Sequence, residues 1–541
     1  MSVLPKEYAL EDRTVGRILA IAAAQMGDKP LVIDVDGDAI SYREMDSQAN
    51  RMARGLAAFG VHHQEPVAFM LNDTIDLTAL FCGLARRGAV EVPINLAYRG
   101  PFLSRIINDS CAKVLVVDAQ FLERLAAIAP ELESLERCVI YPRRPDQVPA
   151  AIAERFELFD FSTLSADDDS PFDGGPSYSD MIGIMYTSGT TGTSKGVMVS
   201  HAHAYRYGNN VGSNHGVVET DNYYTAGLPL FHIAGQWGVV YASMMTGATV
   251  ILRRGYRNEY FWSDIATHGG TVVFMLGAIA NFIWQQAPRD NDIDTPLAKV
   301  GMYPVIPEHE AFAKRFGVQV ASGYGSTENP GPCRHALGLP FPTNQCVGLI
   351  KDTVDCKILD ENDVECAPGV VGEICVRPHN AWEIMMGYWR QPEATLKAFR
   401  NLWFHSGDAG FIDKQQRLYF VDRVTDSMRR RGENISSMEV EDIINQHADV
   451  LECAVFPVWA DESEQDVMVT ITPQPDTRFD PVALTRFCNE RMPYFMVPRY
   501  VDVVDSIPKT PTGKTQKYAL REQGITDTTW DRVAAGVKLE R

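Results

Sequence analysis

The sequence predicts an α/β fold, with a large N-terminal α/β part of mixed sheets and helices and a small C-terminal α+β part. Three observations point there. The chain has 541 residues, more than one ordinary core holds, since domains run about 100–200 residues. Apolar strand-like runs alternate with helical periods through its first part, which is the pattern of parallel sheets covered by helices. After Asp422 the texture changes to a charged stretch, short strands and a proline-punctuated tail.

Taken in order, Leu31–Ser41 reads as a hairpin turning at Asp36-Gly37-Asp38. Ser41 stands three residues before Glu44, a capping-box signature. Met45, Ala49, Met52, Ala53 and Leu56 recur at helical spacing, and Gly60 falls where a C-terminal cap belongs. Pro66–Leu71 reads as a buried strand, Leu77–Arg87 as the helix after it, Gly88–Asn95 and Val114–Ala119 as further strands. The most apolar run, Thr271–Trp284, is too short to span a bilayer and reads as buried core. Toward the end, Arg429–Ile444 is charged and then helical. Cys453–Val458 and Val467–Gln474 look like strands, and Asp480-Pro481 opens a helix with Asp as N-cap and Pro in the first turn. A boundary is placed near Val424, giving parts 1–424 and 425–541.

Composition excludes several classes. Hydrophobic residues at 45% and charged residues at 22% suit a folded globular protein rather than a disordered one. A net charge of −20 lacks the basic footprint of non-specific nucleic-acid binding. Ten cysteines are scattered without a CxxC pair, and HExxH is absent, so the thiols read as reduced in a cytoplasmic protein with no signal peptide.

The strongest local signal is Thr187-Ser188-Gly189-Thr190-Thr191-Gly192-Thr193-Ser194-Lys195-Gly196, set between apolar strands Ile182–Tyr186 and Val197–Ser200. Glycines let backbone approach a ligand closely, and N–H groups, hydroxyls and a lysine make an anion cradle. A Walker A loop would need Gly directly before Lys, a hydroxyl residue after it and then a helix; here Ser194 precedes Lys195, Gly196 follows, and a strand comes next.

This loop resembles the phosphate-binding loop of the adenylate-forming superfamily, which takes in acyl-CoA synthetases, adenylation domains of peptide synthetases and beetle luciferases. Further motifs follow in the family's order over nearly the whole chain. In Leu228–Gly235, His232 is implied as a gate beside the acyl pocket and the α-phosphate. In Ser322-Gly323-Tyr324-Gly325-Ser326-Thr327-Glu328, the resemblance sets Tyr324 on adenine, Thr327 on the α-phosphate, and Glu328 on Mg²⁺ together with Thr187. In Trp403–Asp413, Asp408 would accept from both ribose hydroxyls, with Ser406 where many members carry Thr. Arg423 would contact ribose or phosphate. In Pro508–Lys514, Lys514 would bridge the substrate carboxylate and the α-phosphate as negative charge builds.

The implied activity is AMP-forming acid–thiol ligation: an acid is activated as an acyl-adenylate on a large domain, and the acyl group passes to coenzyme A after a small mobile domain turns. Arg430, Arg431, Gly432 and Glu433 are the expected coenzyme A contacts. A carrier-protein thiol is the alternative acceptor. The hinge falls on Thr425, where the family has Lys or Asp. Gly301-Met302-Tyr303-Pro304 replaces the family's small-residue segment, so that Gly301 and Tyr303, with Trp237 and His232, would shape the acyl pocket; Trp237, Tyr241 and Tyr303 would supply aromatic walls for a quaternary ammonium, line a pocket for an aryl, steroid-side-chain or medium-chain acid, or pack in the core. The run Phe420–Glu441 is most similar to the crotonobetaine/carnitine-CoA ligase type. The expected partners are a small carboxylic acid, Mg²⁺, ATP and coenzyme A, with no nucleic acid and no transmembrane segment; a homodimer is left open.

Overall fold

The computed structural model describes residues 3–187, 194–423, 428–430, 433–435, 437–459, 465–492, 494, 496–509 and 515–539, with backbone alone at Arg423, Arg429, Arg430, Glu433, Asn434 and Glu439. The chain forms two compact units. One is built from Met1–Thr187, Lys195–Asp355 and Arg377–Lys397, the other mainly from Cys356–Val376 and Ala398–Arg541.

The first unit holds two large sheets. In the eight-stranded sheet the neighbours are Gly387–Tyr388, Lys195–Ser200, Met181–Thr187, Val90–Pro93, Pro66–Met70, Val114–Asp118, Arg137–Tyr141 and Glu157–Asp160. Pairing is parallel from Met181–Thr187 onward and antiparallel at the Lys195–Ser200 edge. Every residue of Val90–Pro93 is buried, as expected of a parallel strand covered on both faces. The covering helix Ile75–Arg87 starts where the Thr74 hydroxyl accepts from Leu77 N at 3.1 Å and stops at Gly88, which takes a left-handed φ of 74°. The capping box is present: Ser41 Oγ accepts from Glu44 N at 3.2 Å while Glu44 Oε2 accepts from Ser41 N at 2.9 Å.

The seven-stranded sheet runs Gln319–Ala321, Lys299–Tyr303, Val272–Leu276, Asn222–Tyr224, Thr249–Leu252, Pro30–Asp34 and Ala39–Ser41. All its pairs are parallel except the predicted hairpin at the last edge. The apolar run 271–284 splits into strand Val272–Leu276 and helix Gly277–Trp284. The strand is core, but the helix turns Phe282 outward, 54% exposed, which corrects the expectation of a wholly buried segment.

In the second unit, residues 372–376 of the strand Gly372–Pro378 pair antiparallel with Phe404–Ile412, which pairs antiparallel with Arg417–Arg423. Beyond them lie a two-stranded ribbon, Met428–Arg430 with Glu433–Ile435, and the helix Ser437–Ile444. A four-stranded sheet follows: Val450–Trp459, Gln465–Pro473, Tyr500–Val503 and Trp530–Asp531. Val440, Ile444, Val455, Val469 and Leu484 fill its core. The helix at Pro481 begins as its dipeptide predicts, with Asp480 Oδ1 accepting from Val482 N at 2.9 Å. No helix among the described residues is long and apolar enough to cross a membrane.

Candidate active site

Two strands present the ends of the glycine-rich loop. Met181–Thr187 and Lys195–Ser200 run antiparallel, so Thr187 stands directly across from Lys195. The Thr187 hydroxyl donates to the Lys195 carbonyl at 3.4 Å. Lys195 Nζ lies 4.7 Å from the centre of the Tyr388 ring, a cation–π distance. Tyr388 belongs to the edge strand Gly387–Tyr388, which pairs with Val197 and Met198. Its hydroxyl donates to Glu328 Oε1 at 3.2 Å, and Met385 N donates to the Glu328 carbonyl at 3.0 Å. One tyrosine thus joins a cation from the loop strand to a carboxylate from the Ser322–Glu328 segment.

That segment is a braced turn. Ser326 N donates to Asn329 O at 2.9 Å, and Asn329 N returns to Ser326 O at 3.3 Å. Gly331 has φ of 96°, and a Cβ there would stand 2.6 Å from the Tyr324 carbonyl, so only glycine fits. Asn210 Nδ2 donates to Pro330 O at 2.9 Å and Lys351 Nζ to Gly331 O at 3.3 Å. Burial pushes the Lys351 ammonium down to about 7. Within the turn Tyr324 is half-buried, Gly325 exposed and Thr327 buried.

His232 caps the short helix Ile233–Gly235. Its Nδ1 accepts from Ala234 N at 3.1 Å, so the neutral ring carries its proton on Nε2. The chain continues as a π-helical turn, Gln236–Tyr241, and returns to α-helix at Ala242–Thr246. Trp237 and Tyr241 on this turn are fully buried, whereas Tyr303 is half-buried. Behind Tyr303 lies His215, fully buried, with Nε2 at 2.9 Å from Tyr303 Oη and Nδ1 at 2.5 Å from Tyr223 Oη. Burial pushes the His215 imidazole down to about 3, so the ring is neutral.

In the second unit Asp408 is buried, and its N–H donates to Ser406 Oγ at 3.1 Å. Ser406 Oγ donates in turn to Ile374 O at 2.6 Å, and Glu373 Oε1 accepts from Gly407 N at 2.9 Å. Asp408 faces Arg423 across the strand pair.

Comparison with known proteins resolves the family. The model of the AMP-binding enzyme family matches residues 19–389. The chain belongs to this family. A second model, the AMP-binding enzyme C-terminal domain, matches residues 439–514. Among relatives, the crotonobetaine/carnitine–CoA ligase of Salmonella arizonae is 28% identical over 496 residues, covering 89% of this chain and 93% of that protein. The Escherichia coli ligase of the same name is 28% identical over 487 residues, covering 88% and 91%. Among solved structures, the anthranilate CoA ligase AuaEII in complex with anthranoyl-AMP superposes with a TM-score of 0.83 at 23% identity, over 99% of both chains. ATP-bound MatB from Rhodopseudomonas palustris gives 0.79 at 24%, over 94% of this chain and 99% of that one. The fold is that of adenylate-forming enzymes.

In this AMP-binding enzyme, the structure brings together Thr187, Lys195 and Glu328 through Tyr388, a residue that sequence reasoning passed over. Gly323 and Tyr303 also meet: a Cβ on Gly323 would lie 3.5 Å from Tyr303 Cε1 and 3.1 Å from Asn214 Nδ2. Ser188, Gly189, Thr190, Thr191, Gly192, Thr425, Arg431, Gly432 and Lys514 lie outside the described residues, as do the side chains of Arg423, Arg430 and Glu433. The backbones of Arg430 and Glu433 pair across the two-stranded ribbon.

Proposed function

We propose that this AMP-binding enzyme is an ATP-dependent acyl-CoA ligase. The acid's carboxylate attacks the α-phosphorus of ATP, pyrophosphate leaves, and coenzyme A thiolate then displaces AMP from the acyl-adenylate. The observation that carries the reading is the meeting of Lys195 and Glu328 on Tyr388 at the mouth of the glycine-rich loop. An ammonium and a carboxylate held at one point suit a polyphosphate and its counter-cation.

Mg²⁺ fits Glu328 by donor chemistry. The carboxylate is a hard oxygen ligand, half-buried, with one oxygen steadied by the Tyr388 hydroxyl. Glu328 and the Thr187 hydroxyl are the proposed holders, and the ion would neutralise phosphate charge. Thr327 is assigned to the α-phosphate, Tyr324 to adenine, Gly323, Gly325 and Ser326 to the bound nucleotide, Asp408 to the ribose hydroxyls and Arg423 to ribose or phosphate. Residues 188–192 are assigned to phosphate and His232 to gating the acyl pocket. Lys514 is the cation for the reacting carboxylate and α-phosphate, Thr425 the hinge of a mobile part 425–541, and Arg430, Arg431, Gly432 and Glu433 the coenzyme A contacts. The names of the relatives favour coenzyme A over a carrier-protein thiol as acceptor. The protein is assigned to the cytoplasm.

The test is AMP release from ATP over betaine-type, short, medium-chain, aryl and steroid-side-chain acids, each with and without coenzyme A. Release that requires one acid class and coenzyme A together supports the ligase. Acid-dependent pyrophosphate exchange without coenzyme A turnover would replace it with a carrier-protein acceptor.

A further inference from the structure

Glu373 and Cys375 stand two residues apart on the strand Gly372–Pro378, so their side chains leave the sheet on one face. Across the antiparallel pair, Cys375 is the register partner of His405. Three kinds of metal-ligating atom meet there. Cys375 Sγ lies 3.3 Å from His405 Nδ1, and Glu373 Oε2 lies 2.8 Å from the same nitrogen. All three atoms are within 4.8 Å of one another. Cys375 is fully buried, the His405 side chain is 2% exposed, and Glu373 is half-buried.

The far side of the imidazole points the same way. In the neutral ring the Nδ1 hydrogen goes to the Glu373 carboxylate, which leaves Nε2 a bare acceptor. Nε2 is buried and has no hydrogen-bond partner among the described residues; the group that faces it, at 3.8 Å, is the Asp363 carboxylate. Two acceptors turned toward each other out of water are unfavourable. A cation on Nδ1 reverses this, because the ring hydrogen then sits on Nε2 and points at Asp363. That is the carboxylate–histidine arrangement that orients metal-bound imidazoles. Arg400 steadies both carboxylates, with Nε at 3.1 Å from Asp363 Oδ1 and Nη2 at 3.0 Å from Glu373 Oε2. The charges close as well: two carboxylates and a thiolate against one guanidinium and a divalent ion. A doubly protonated ring is the other way to satisfy both nitrogens, and metal titration separates the two.

We propose that Glu373, Cys375 and His405 form a site for a borderline-soft divalent cation, Zn²⁺ by donor type, with Asp363 behind the imidazole and water as the fourth ligand. Tetrahedral Zn²⁺ sets such donors roughly 3.4–3.6 Å apart, so the two contacts to Nδ1 open by roughly 0.2–0.6 Å on loading. The ion takes the place of the hydrogen between Nδ1 and Oε2, and the thiol hydrogen leaves to solvent. It ties the strand Gly372–Pro378 to Phe404–Ile412 where Gly407, with φ of 72°, leads into Asp408; Gly407 N already donates to Glu373 Oε1 at 2.9 Å. The site uses none of the residues assigned to Mg²⁺ and stands independently of the ligase reading.

The experiment is titration of the chelator-treated full chain with Co²⁺ as a coloured probe in excess Mg²⁺, followed by Zn²⁺ competition against a chelating dye. The expected result is a single equivalent of Co²⁺ with tetrahedral ligand-field absorption and a thiolate-to-cobalt charge-transfer band, displaced by Zn²⁺. Cys375→Ser should remove the charge-transfer band, His405→Gln should lose the tight equivalent, and Asp363→Asn should weaken Zn²⁺ by about 10–100-fold. In the wild-type chain, where no substitution can disturb folding, Zn²⁺ should protect Cys375 from alkylation in mild urea more than it protects the buried Cys82 and Cys138. Substoichiometric binding, an octahedral spectrum without charge transfer, equal protection of all three thiols, or binding that survives both Cys375→Ser and His405→Gln overturns the proposal. The cluster would then be an imidazolium clamped between Glu373 and Asp363.

Discussion

Arg206 forks onto Glu383, with Nε at 2.8 Å from one carboxylate oxygen and Nη2 at 2.7 Å from the other, and both side chains are almost fully buried. Arg13 reaches the same carboxylate at 2.6 Å, so a single acid joins an N-terminal segment, the helix His201–Asn214 and the stretch leading to Tyr388. Removing it leaves two buried guanidinium groups short of their partner. Glu383→Ala should cost about 3–5 kcal/mol, read as a lower urea midpoint, while Glu383→Gln should cost less because it keeps an acceptor.

A Cβ on Gly301 would come within 1.9 Å of His215 Nε2 and 2.2 Å of Cε1. Both partners are buried, so neither can step aside cheaply. Gly301→Ala should lose about 1–3 kcal/mol of stability and disturb acid-dependent exchange more than ATP binding, measured by calorimetry.

Tyr388→Phe removes the hydroxyl that steadies Glu328 and keeps the ring under Lys195. A hydrogen bond to a charged group contributes about 1.5–3 kcal/mol. The expected outcome is a rise of roughly tenfold in the Mg²⁺ concentration for half-maximal pyrophosphate exchange, with an unchanged thermal midpoint. An unchanged Mg²⁺ requirement would detach Tyr388 from the cation.

Glu91 gives a pH dependence. Burial pushes its carboxyl from 4.5 up to about 8, and its Oε2 accepts from Gln236 Nε2 at 2.9 Å. The folded chain therefore holds a proton that the unfolded chain releases at lower pH. The resulting stability is complete below pH 4.5 and is lost as pH rises through 8. Glu91→Gln should flatten this fall, so that wild type and variant differ more at about pH 9 than at about pH 6 in urea titrations.

Lys514→Ala should abolish pyrophosphate exchange while sparing transfer of acyl from a supplied acyl-adenylate to coenzyme A. Arg430→Ala with Arg431→Ala should do the reverse, weakening coenzyme A use and leaving exchange intact.

Local chemistry was legible in the sequence. Ser41 and Glu44 announce their helix because a capping box is complete within four residues. The strand, loop and strand around 187–195 are bounded by apolar runs whose ends face each other as expected. The alternation that predicted parallel sheets is a property of neighbouring residues too. Tyr388 was not legible. It acquires meaning from Glu328, 60 residues away, and from an ammonium across an antiparallel edge. His215 was hidden for the same reason: it ends a helix whose local pattern gives no hint of Tyr303, 88 residues on. Asn210 and Lys351, which brace the turn at Pro330 and Gly331, are likewise ordinary polar residues until the fold assembles them.

The π-helical turn Gln236–Tyr241 just after His232 is wound more widely than the α-helix that follows it. Such a turn is what an α-helix becomes when it must house one surplus residue between fixed ends. The angular offset between His232 and the downstream helix is therefore written in chain length rather than in side-chain identity. Excising a single residue from 236–241 would rewind the segment and swing Trp237 and Tyr241 around the helix axis with no substitution at either. Divergence among relatives at this point would show as a gap in alignment rather than as a substitution.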